Sequence, residues 1–222
     1  MEGQLKNNNQ KRRLITAFFL DKVLKFLYNN KKFLEVDILD KVWFRKNPDG
    51  VHRISEEQQR AIAVGAILTE NNGEFCDSLY PNTDYSIEEE MEMLNSWWGI
   101  ASREEALDTL NWLLQGGHRV EYNTLTPMNV TAWDMGRMVN VSRWCYKVGY
   151  ISENEAWQYI LAAEKESRLC YANWAEFGTA YVVGRAIWSQ TDADAQAEWF
   201  DIVDMLVNDK NSPWNIFPLR GL

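Results

Sequence analysis

The chain has 222 residues, of which 46% are hydrophobic and 25% are charged, a balance typical of a folded globular protein and not of a disordered one. Its formal net charge of -9 argues against non-specific binding to nucleic acid, which needs clustered positive charge; the basic residues 11–13 predict a solvated N-terminal arm, with a nucleic-acid role as the less favoured alternative. The 11 Trp, 9 Tyr and 9 Phe residues predict a sizeable core, because aromatic rings bury large apolar areas.

The first part of the chain predicts helices separated by turn signals. Apolar residues at helical spacing predict a helix over 12–29 and a short one over 34–46, which the turn sequence Asn-Pro-Asp-Gly at 47–50 ends. Two capping boxes predict the starts of further helices that reach about Glu70 and Trp98. These boxes are formed by Ser55 with Gln58 and by Ser86 with Glu89.

The remainder of the chain predicts closely spaced amphipathic helices. They begin near Ser102 and then cover about 130–147, 152–170, 174–189 and 193–207. The connection at 118–128 contains the best strand candidate, Val120–Leu125, and the apolar tail from Ser212 is expected to pack on the body. Short loops between such helices predict an all-α fold, a compact multi-helix array with little or no sheet.

No clear linker divides the chain. The sequence predicts one continuous domain with an N-terminal helical region, 1–94, and a C-terminal helical core, 95–222.

The three cysteines lack paired spacing, which predicts a reducing compartment. The apolar stretch 14–20 stops at charged residues without a cleavage site, and no stretch approaches the roughly 20 apolar residues of a membrane span. We therefore expect a cytoplasmic protein, with membrane association as the least favoured possibility.

A family pattern covers the chain from about Trp97 to Pro218. It consists, in order, of WDMGR at 133–137, RWCYKVGYISE at 143–153, EAW at 155–157, WAEFG at 174–178, YVVGRAIW at 181–188 and SPW at 212–214. Together these segments resemble the bacterial domain-of-unknown-function family 1266. The resemblance supports the fold and implies a bacterial origin, but it supplies no function, because the family has no established activity.

Arg185 lies on an aromatic helix face. The face is formed by Trp174, Phe177, Gly178, Tyr181, Gly184, Arg185 and Trp188, at offsets that repeat with the helical period. A guanidinium in such surroundings is expected to pair with a carboxylate, an aromatic ring or both. The ring cluster predicted around it, buried and in mutual contact, comprises Trp133, Trp144, Trp157, Tyr181 and Trp188.

Asp134 is the first choice of partner for Arg185. It begins an apolar stripe in the first turn of the 130–147 helix, and Arg137, three residues on, can also reach it. Glu155 and Glu176 are alternative partners, although each also suits the N-terminus of its own helix. Asp134, Arg137 and Arg185 then form either a buried polar lock between helices or an anion-binding or catalytic pocket.

The chain offers few other groups for chemistry. His118 follows the predicted helix end at Gly116–Gly117, where it is either a capping or surface histidine or a general base in a loop. No spacing typical of a metal site, a phosphate-binding loop or a nucleophile elbow is present. We therefore expect no metal and no cofactor, and no catalytic residue can be assigned.

Three functions remain open. The leading hypothesis is a non-enzymatic accessory module that binds another protein. The second is an enzyme or anion-binding protein that uses a pocket around Asp134, Arg137 and Arg185, with His118 contributing. The third is membrane association through residues 12–29. A concave pocket that reaches the arginines favours the second hypothesis, whereas an unusually large exposed apolar patch favours the first.

Overall fold

The computed structural model describes residues 41–44, 54–81, 85–191 and 194–220. These residues form helices and connections without a strand, so the all-α prediction is confirmed. The helix predicted over 12–29 and the turn predicted at 47–50 lie outside the described residues. Of the helix predicted over 34–46, only residues 41–44 are described, and they are not helical.

The described helices follow one another with short connections. In chain order they are α1 (Glu56–Ala63), α2 (Ala66–Asn71), α3 (Ile87–Trp98), α4 (Arg103–Gln115), α5 (Arg119–Tyr122), α6 (Thr131–Lys147), α7 (Glu153–Cys170), α8 (Trp174–Ser189), a 3-10 turn (Asp194–Gln196), α9 (Ala197–Asn208) and α10 (Pro213–Ile216).

Local hydrogen bonds start and stop these helices where the sequence predicts. Both predicted capping boxes are present at the starts of α1 and α3, and a third, formed by Ser152 and Glu155, starts α7. Gly99 ends α3 in the left-handed region, at φ 66°, where glycine has no steric penalty. These signals are correct because each involves residues only a few positions apart.

Two local predictions are wrong. The strand candidate Val120–Leu125 instead contains the end of α5 and a turn, in which the Thr124 hydroxyl donates to the Glu121 carbonyl. The single helix predicted up to about Glu70 is divided into α1 and α2 at Gly65. There a Cβ atom would lie 2.8 Å from side-chain atoms of both Val139 and Asn140, so the close approach of α6 explains the glycine and the break.

Helix α6 lies at the centre of the fold. It packs against α2, α3, α4, α5, α7 and α8, so the predicted packing of 130–147 on 152–170 and on 174–189 is confirmed. Of its 17 residues, 16 are buried, including polar ones that the sequence pattern assigns to no particular environment. Buried polar groups need partners, and those of α6 find them on distant parts of the chain.

The polar side chains of α6 are bonded along its whole length. Asn140 Nδ2 donates to the Gly65 carbonyl at 2.9 Å, and Arg143 Nη2 donates to the Phe75 carbonyl at 2.7 Å. Lys147 Nζ lies 2.6 Å from Glu90 Oε2 in a buried ion pair. These bonds tie α6 to the segment 65–90, and each joins residues more than 50 positions apart in the sequence.

The predicted ring cluster is only partly present. Trp133, Trp144, Trp157 and Tyr181 are buried, but Trp188 is 51% exposed. Trp133 contacts both Tyr181 and Trp188, whereas Trp157 makes no ring contact with them among the described residues. Gly184, one turn before Trp188, already packs against the first residues of α6, so Trp188 extends past the end of that helix and is left half exposed.

The C-terminal tail packs on the body, as predicted. Trp214 is buried, its ring stacks on Trp174 with centroids 5.2 Å apart, and its Nε1 donates to the Ala63 carbonyl at 2.8 Å.

The predicted division of the chain into an N-terminal region, 1–94, and a C-terminal core, 95–222, stays a prediction. Within the described ranges, no helix combines the length and the apolar character needed to cross a membrane.

The three cysteines are free thiols. Cys76 and Cys145 are buried, and desolvation raises the pKa of each thiol to about 12. Because the thiolate is the reactive form, both side chains behave as small apolar core residues and not as nucleophiles.

Candidate functional site: a cleft lined by tryptophan and arginine

A cleft of about 410 Å³ opens beside α6. Seven of the chain's eleven tryptophans line it, together with one tyrosine; they are Trp97, Trp98, Trp112, Trp133, Trp144, Trp188, Trp199 and Tyr181. Three cationic or titratable side chains also line it, namely His118, Arg137 and Arg185. This concentration of rings and guanidiniums makes the cleft the candidate functional site, which we call the Trp/Arg cleft.

Several helices that are distant in the sequence build the Trp/Arg cleft. Its lining residues come from α2, the end of α3, the middle of α4, the start of α5, the central helix α6, the C-terminal half of α8, and α9. Trp133 and Arg137 lie on adjacent turns of α6, so they share a face of this central helix. The buried central helix therefore holds the floor of the cleft.

Asp134 lies behind this floor and is fully buried. Its carboxylate accepts hydrogen bonds from Arg137 Nη2 at 2.7 Å, from the His118 and Arg119 backbone N–H groups at 3.2 and 2.9 Å, and from Arg119 Nη1 at 3.2 Å. The structure thus brings Asp134, Arg137 and His118 together. Charge-assisted bonds of this kind are strong, and they hold the α4–α5 connection against α6.

Gly117 makes this arrangement possible. Its φ of 56° lies in the left-handed region, and a Cβ atom there would lie 2.2 Å from Asp134 Oδ2. Only glycine combines that backbone conformation with room for the carboxylate. The helix end predicted at Gly116–Gly117 therefore also forms one wall of the Asp134 site.

Arg119 is the member of this site that the sequence reasoning missed. Its guanidinium bonds the carbonyls of Leu113 and Leu114 in the last turn of α4 and also the Asp134 carboxylate. A cation just beyond a helix C-terminus is the usual partner of the last carbonyls, so its position after Gly116–Gly117 was the available signal. That position predicts only that Arg119 binds the last carbonyls of α4. Its contact with Asp134 depends on how the helices pack and could not be predicted from it.

Arg137 is 6% exposed and lies between the buried Asp134 carboxylate and the Trp/Arg cleft. Its Nε donates to the Trp133 carbonyl at 2.9 Å, and its Cζ lies 4.1 Å from the centroid of the Trp133 ring. Nη2 bonds Asp134, while Nη1 has no hydrogen-bond partner among the described residues. One edge of this guanidinium is therefore available to a group that enters the cleft.

The predicted Arg185–Asp134 pair is wrong. Arg185 Nη1 donates instead to Gln196 Oε1 at 2.7 Å, and the guanidinium lies over the Trp199 ring, 4.1 Å from its centroid. The reason is that Arg185 faces α9 and the 3-10 turn, whereas Asp134 faces the α4–α5 connection. Among the described residues, no carboxylate forms an ion pair with Arg185, although the negative charge of Glu198 acts on its guanidinium.

Glu155 is not part of the Trp/Arg cleft. It caps α7 and forms a two-pronged ion pair with the exposed Arg103, at 2.5 and 2.9 Å. Hydrogen bonds from Arg103 and from Ser152 lower the pKa of this carboxyl to about 2. Glu176, the other alternative partner, likewise caps α8, where it accepts from the Ala172 backbone N–H at 2.9 Å.

His118 lies at the edge of the cleft between two aromatic rings. It stacks on Tyr122 with centroids 5.1 Å apart and meets Trp112 edge-on at 4.9 Å. Burial and then the positive charge of Arg137 lower the pKa of the imidazole, against the smaller opposing effects of Asp134 and Glu121. The neutral form of His118 is therefore favoured at neutral pH.

We expect the imidazole of His118 to titrate below its ordinary pKa of 6.5. Between that value and the lower pKa of the folded state, the unfolded chain binds a proton that the folded chain does not, so the stability is complete above 6.5 and falls as the pH decreases through this window. The proton NMR titration of a His52→Gln variant, which leaves only His118, measures the midpoint. A midpoint at or above 6.5 would contradict the expectation, and His118→Gln should flatten the stability profile in the same window.

The fold and the site together define an all-α protein with a tryptophan-lined, arginine-bearing cleft. The family model of proteins of unknown function DUF1266 matches residues 93–128 and 121–219, which is more than half of the chain. The chain therefore belongs to this family. All residues that line the Trp/Arg cleft except Leu68 lie within the matched region. No curated protein and no solved structure matches the chain.

Proposed function

We propose that this protein is a non-enzymatic binding module whose ligand is a small organic anion held in the Trp/Arg cleft. The observation that carries the proposal is the charge of the cleft and its floor. Arg119, Arg137 and Arg185 bring three positive charges, and within the described part of the chain Asp134 is the one carboxylate that forms an ion pair with any of them. A protein with a net charge of -9 thus concentrates positive charge at one concave, partly buried site, where charge acts strongly on a ligand.

The arginines also decide between ligands of opposite charge. A tryptophan-lined cleft alone would suit an organic cation, because cations bind the faces of aromatic rings. Here Arg137 already lies over the Trp133 ring and Arg185 over the Trp199 ring. These faces are occupied by the protein's own cations, which repel a second cation and attract an anion.

The size and shape of the site support a small ligand. Its volume of about 410 Å³ lies in the range of small-molecule clefts, roughly 300–1,000 Å³. The second hypothesis from the sequence, a pocket around the arginines, is therefore favoured over the first. The sequence hypothesis included Asp134 in the pocket. We propose instead that Asp134 binds Arg137 from behind and does not face the ligand.

A protein partner is the second candidate function. Three tryptophans at the cleft are strongly exposed, with Trp97 at 71%, Trp112 at 43% and Trp188 at 51%. Exposed tryptophans are enriched where proteins bind one another. In this alternative an acidic side chain of the partner enters the Trp/Arg cleft, and the same arginines bind it.

An enzymatic role would have to rest on His118. Its imidazole lines the cleft and makes no side-chain hydrogen bond with the described residues, which leaves it free to accept a proton. No serine or cysteine lines the cleft, and no hydrogen bond among the described residues joins its one threonine, Thr109, to His118, so the lining shows no activated nucleophile. We therefore propose binding and not catalysis.

We also propose that the protein acts in the bacterial cytoplasm. The support is the three free thiols, two of them in the core, which suit a reducing compartment. The resemblance of the motif-bearing segments to a bacterial family supports the origin.

Probes that differ only in charge test the proposed function. The titration of tryptophan fluorescence with benzoate, hexanoate and phenyl phosphate should show binding at least about tenfold tighter than for benzyl alcohol and hexanol, because hydrogen bonds to charged groups are the stronger ones. Phenyltrimethylammonium, an aromatic cation, should bind no better than the alcohols. Equal binding of the neutral or cationic probes would contradict an anion site.

Arg185→Gln should weaken the binding of the anions at least about tenfold, because it removes a positive charge from the lining of the cleft. Arg103→Gln is the matched control, since Arg103 is an exposed arginine that pairs with Glu155 outside the cleft. Unchanged affinity in Arg185→Gln would refute the proposed site. Capture of an acidic peptide with no affinity for the small anions would favour the protein-partner alternative.

A further inference from the structure

Two buried hydrogen-bond donors at the Trp/Arg cleft lack partners. Four buried side-chain polar atoms in the described part of the chain have no hydrogen-bond partner there, and Trp133 Nε1 and Tyr181 Oη are two of the four. Both residues line the cleft. Proteins rarely leave such groups unsatisfied, because each buried donor without an acceptor is destabilising. Half of these atoms therefore lie at the Trp/Arg cleft.

The Tyr181 hydroxyl lies near two guanidiniums. The Tyr181 side chain is fully buried, and the positive charges of both Arg137 and Arg185 act on its phenol oxygen, although desolvation is the larger effect and raises the phenol pKa. Because both guanidiniums line the cleft, the hydroxyl and the two guanidiniums form one cluster of hydrogen-bond donors. Tyr181 can therefore donate to an oxygen that the arginines attract.

The ring of Trp133 borders the same space. Its centroid lies 5.1 Å from that of Tyr181 and 5.8 Å from that of Trp188, and Arg137 covers it. A ligand that reaches Nε1 has to displace part of this cover. Trp188 is the neighbouring ring with room to move, because it is half exposed at the end of α8.

The walls of the cleft suit a ligand with a planar ring. Seven indole rings and a phenol provide faces and edges on which a planar ring can stack or pack edge-on. A flexible aliphatic chain would lose rotational freedom on entering such a cleft, whereas a rigid ring loses little.

We propose that the ligand of the Trp/Arg cleft is a planar aromatic anion, whose ring packs between tryptophans and whose charged oxygens accept hydrogen bonds from Tyr181 Oη, Trp133 Nε1 and the guanidiniums of Arg137 and Arg185. This proposal rests on the proposed anion-binding function and names the chemical class of the ligand. A carboxylate and a phosphate monoester both supply such oxygens, so the test includes both.

The first experiment compares aromatic with aliphatic ligands that carry the same anionic group. Isothermal titration of the full chain with 2-naphthoate and 2-naphthyl phosphate should give dissociation constants at least about tenfold lower than octanoate and octyl phosphate, since stacking contributes beyond the buried area. The better of the two aromatic probes identifies the anionic group. Equal affinities for aromatic and aliphatic anions would overturn the aromatic assignment and leave the anion-binding function standing. No preference of any anion over 2-naphthol would overturn both.

The second experiment removes one oxygen atom. Tyr181→Phe should weaken the binding of the aromatic anion about tenfold, because the phenol donor is lost. It should not lower the melting temperature, because the hydroxyl has no partner in the protein. A merely structural tyrosine would behave in the opposite way, with lower stability and an unchanged dissociation constant, and that result would overturn the role of Tyr181.

Tyr171→Phe is the matched control. The Tyr171 hydroxyl is also buried, but it donates to the Asn129 carbonyl and accepts from the Ala132 backbone N–H, both at 2.9 Å, away from the lining of the cleft. Its removal should lower the melting temperature and leave the affinity for 2-naphthoate unchanged. Loss of affinity in both variants to the same extent would show a general effect of destabilisation and would refute the specific contact.

Discussion

Asp134→Asn is expected to destabilise the fold by about 3–5 kcal/mol, the cost of removing one partner from a buried ion pair. The substitution keeps the shape of the side chain, but it leaves the buried Arg137 without its counter-charge. An amide nitrogen would also face donors that now meet a carboxylate oxygen, including the backbone N–H groups of His118 and Arg119. Urea denaturation with a circular dichroism signal measures the change in the free energy of unfolding.

Double-mutant cycles show which arginine is coupled to Asp134. With Arg137→Met, the combined loss should be smaller than the sum of the single losses, because the two side chains are in contact. With Arg185→Met, the losses should add within about 0.5 kcal/mol, because no contact joins Arg185 to Asp134. Strong coupling to Arg185 would contradict the geometry described here. The surface variant Asp108→Asn, on the exposed side of α4, is the control and should change stability by less than about 0.5 kcal/mol.

Trp214→Ala is expected to cost about 3–5 kcal/mol, as for other buried tryptophans. The ring is 3% exposed, stacks on Trp174 and meets Phe177 edge-on. Its loss would leave a cavity and remove the hydrogen bond to the Ala63 carbonyl, which joins the tail to the end of α1. A decrease in the denaturation midpoint with an unchanged denaturant dependence would identify a pure loss of stability.

Trp188→Ala is the matched control for Trp214→Ala. The same atoms are removed, but the Trp188 ring is half exposed, so the loss of stability should stay below about 1 kcal/mol. Its effect should appear instead in the binding of aromatic anions, because Trp188 lines the Trp/Arg cleft. A large loss of stability in Trp188→Ala would show that its ring is buried and that α8 is oriented differently about its axis.

The sequence predicted most helix boundaries because their causes are local. Ser86 and Glu89 bond each other's backbone across one turn, and this information is contained in four adjacent positions. The apolar tail around Trp214 was likewise expected to pack, since such a segment is costly to leave in water. The break at Gly65 was not predictable in the same way, because its cause is the approach of Val139 and Asn140, more than 70 residues away.

The candidate site shows the same division between local and distant contacts. The ion pair of Asp134 with Arg137 follows from their spacing of three residues on one helix, and the sequence indicated it correctly. The partner of Arg185 depended on which neighbour its face meets, and helical periodicity identifies a face but not the element packed against it. The two unsatisfied donors could not be found from the sequence at all, because a missing partner is a property of the whole environment.

The sequence by itself determined that this protein is helical, where most of its helices begin and end, and that Arg137 can reach Asp134 along one helix. Only the tertiary structure decided that α6 is buried on every side, that Arg119 completes the Asp134 site and that seven tryptophans meet at one cleft. The physical reason is the range of the interactions. Caps, turns and hydrophobic periodicity act over a few residues, whereas a binding site is assembled by packing that joins residues far apart in the chain.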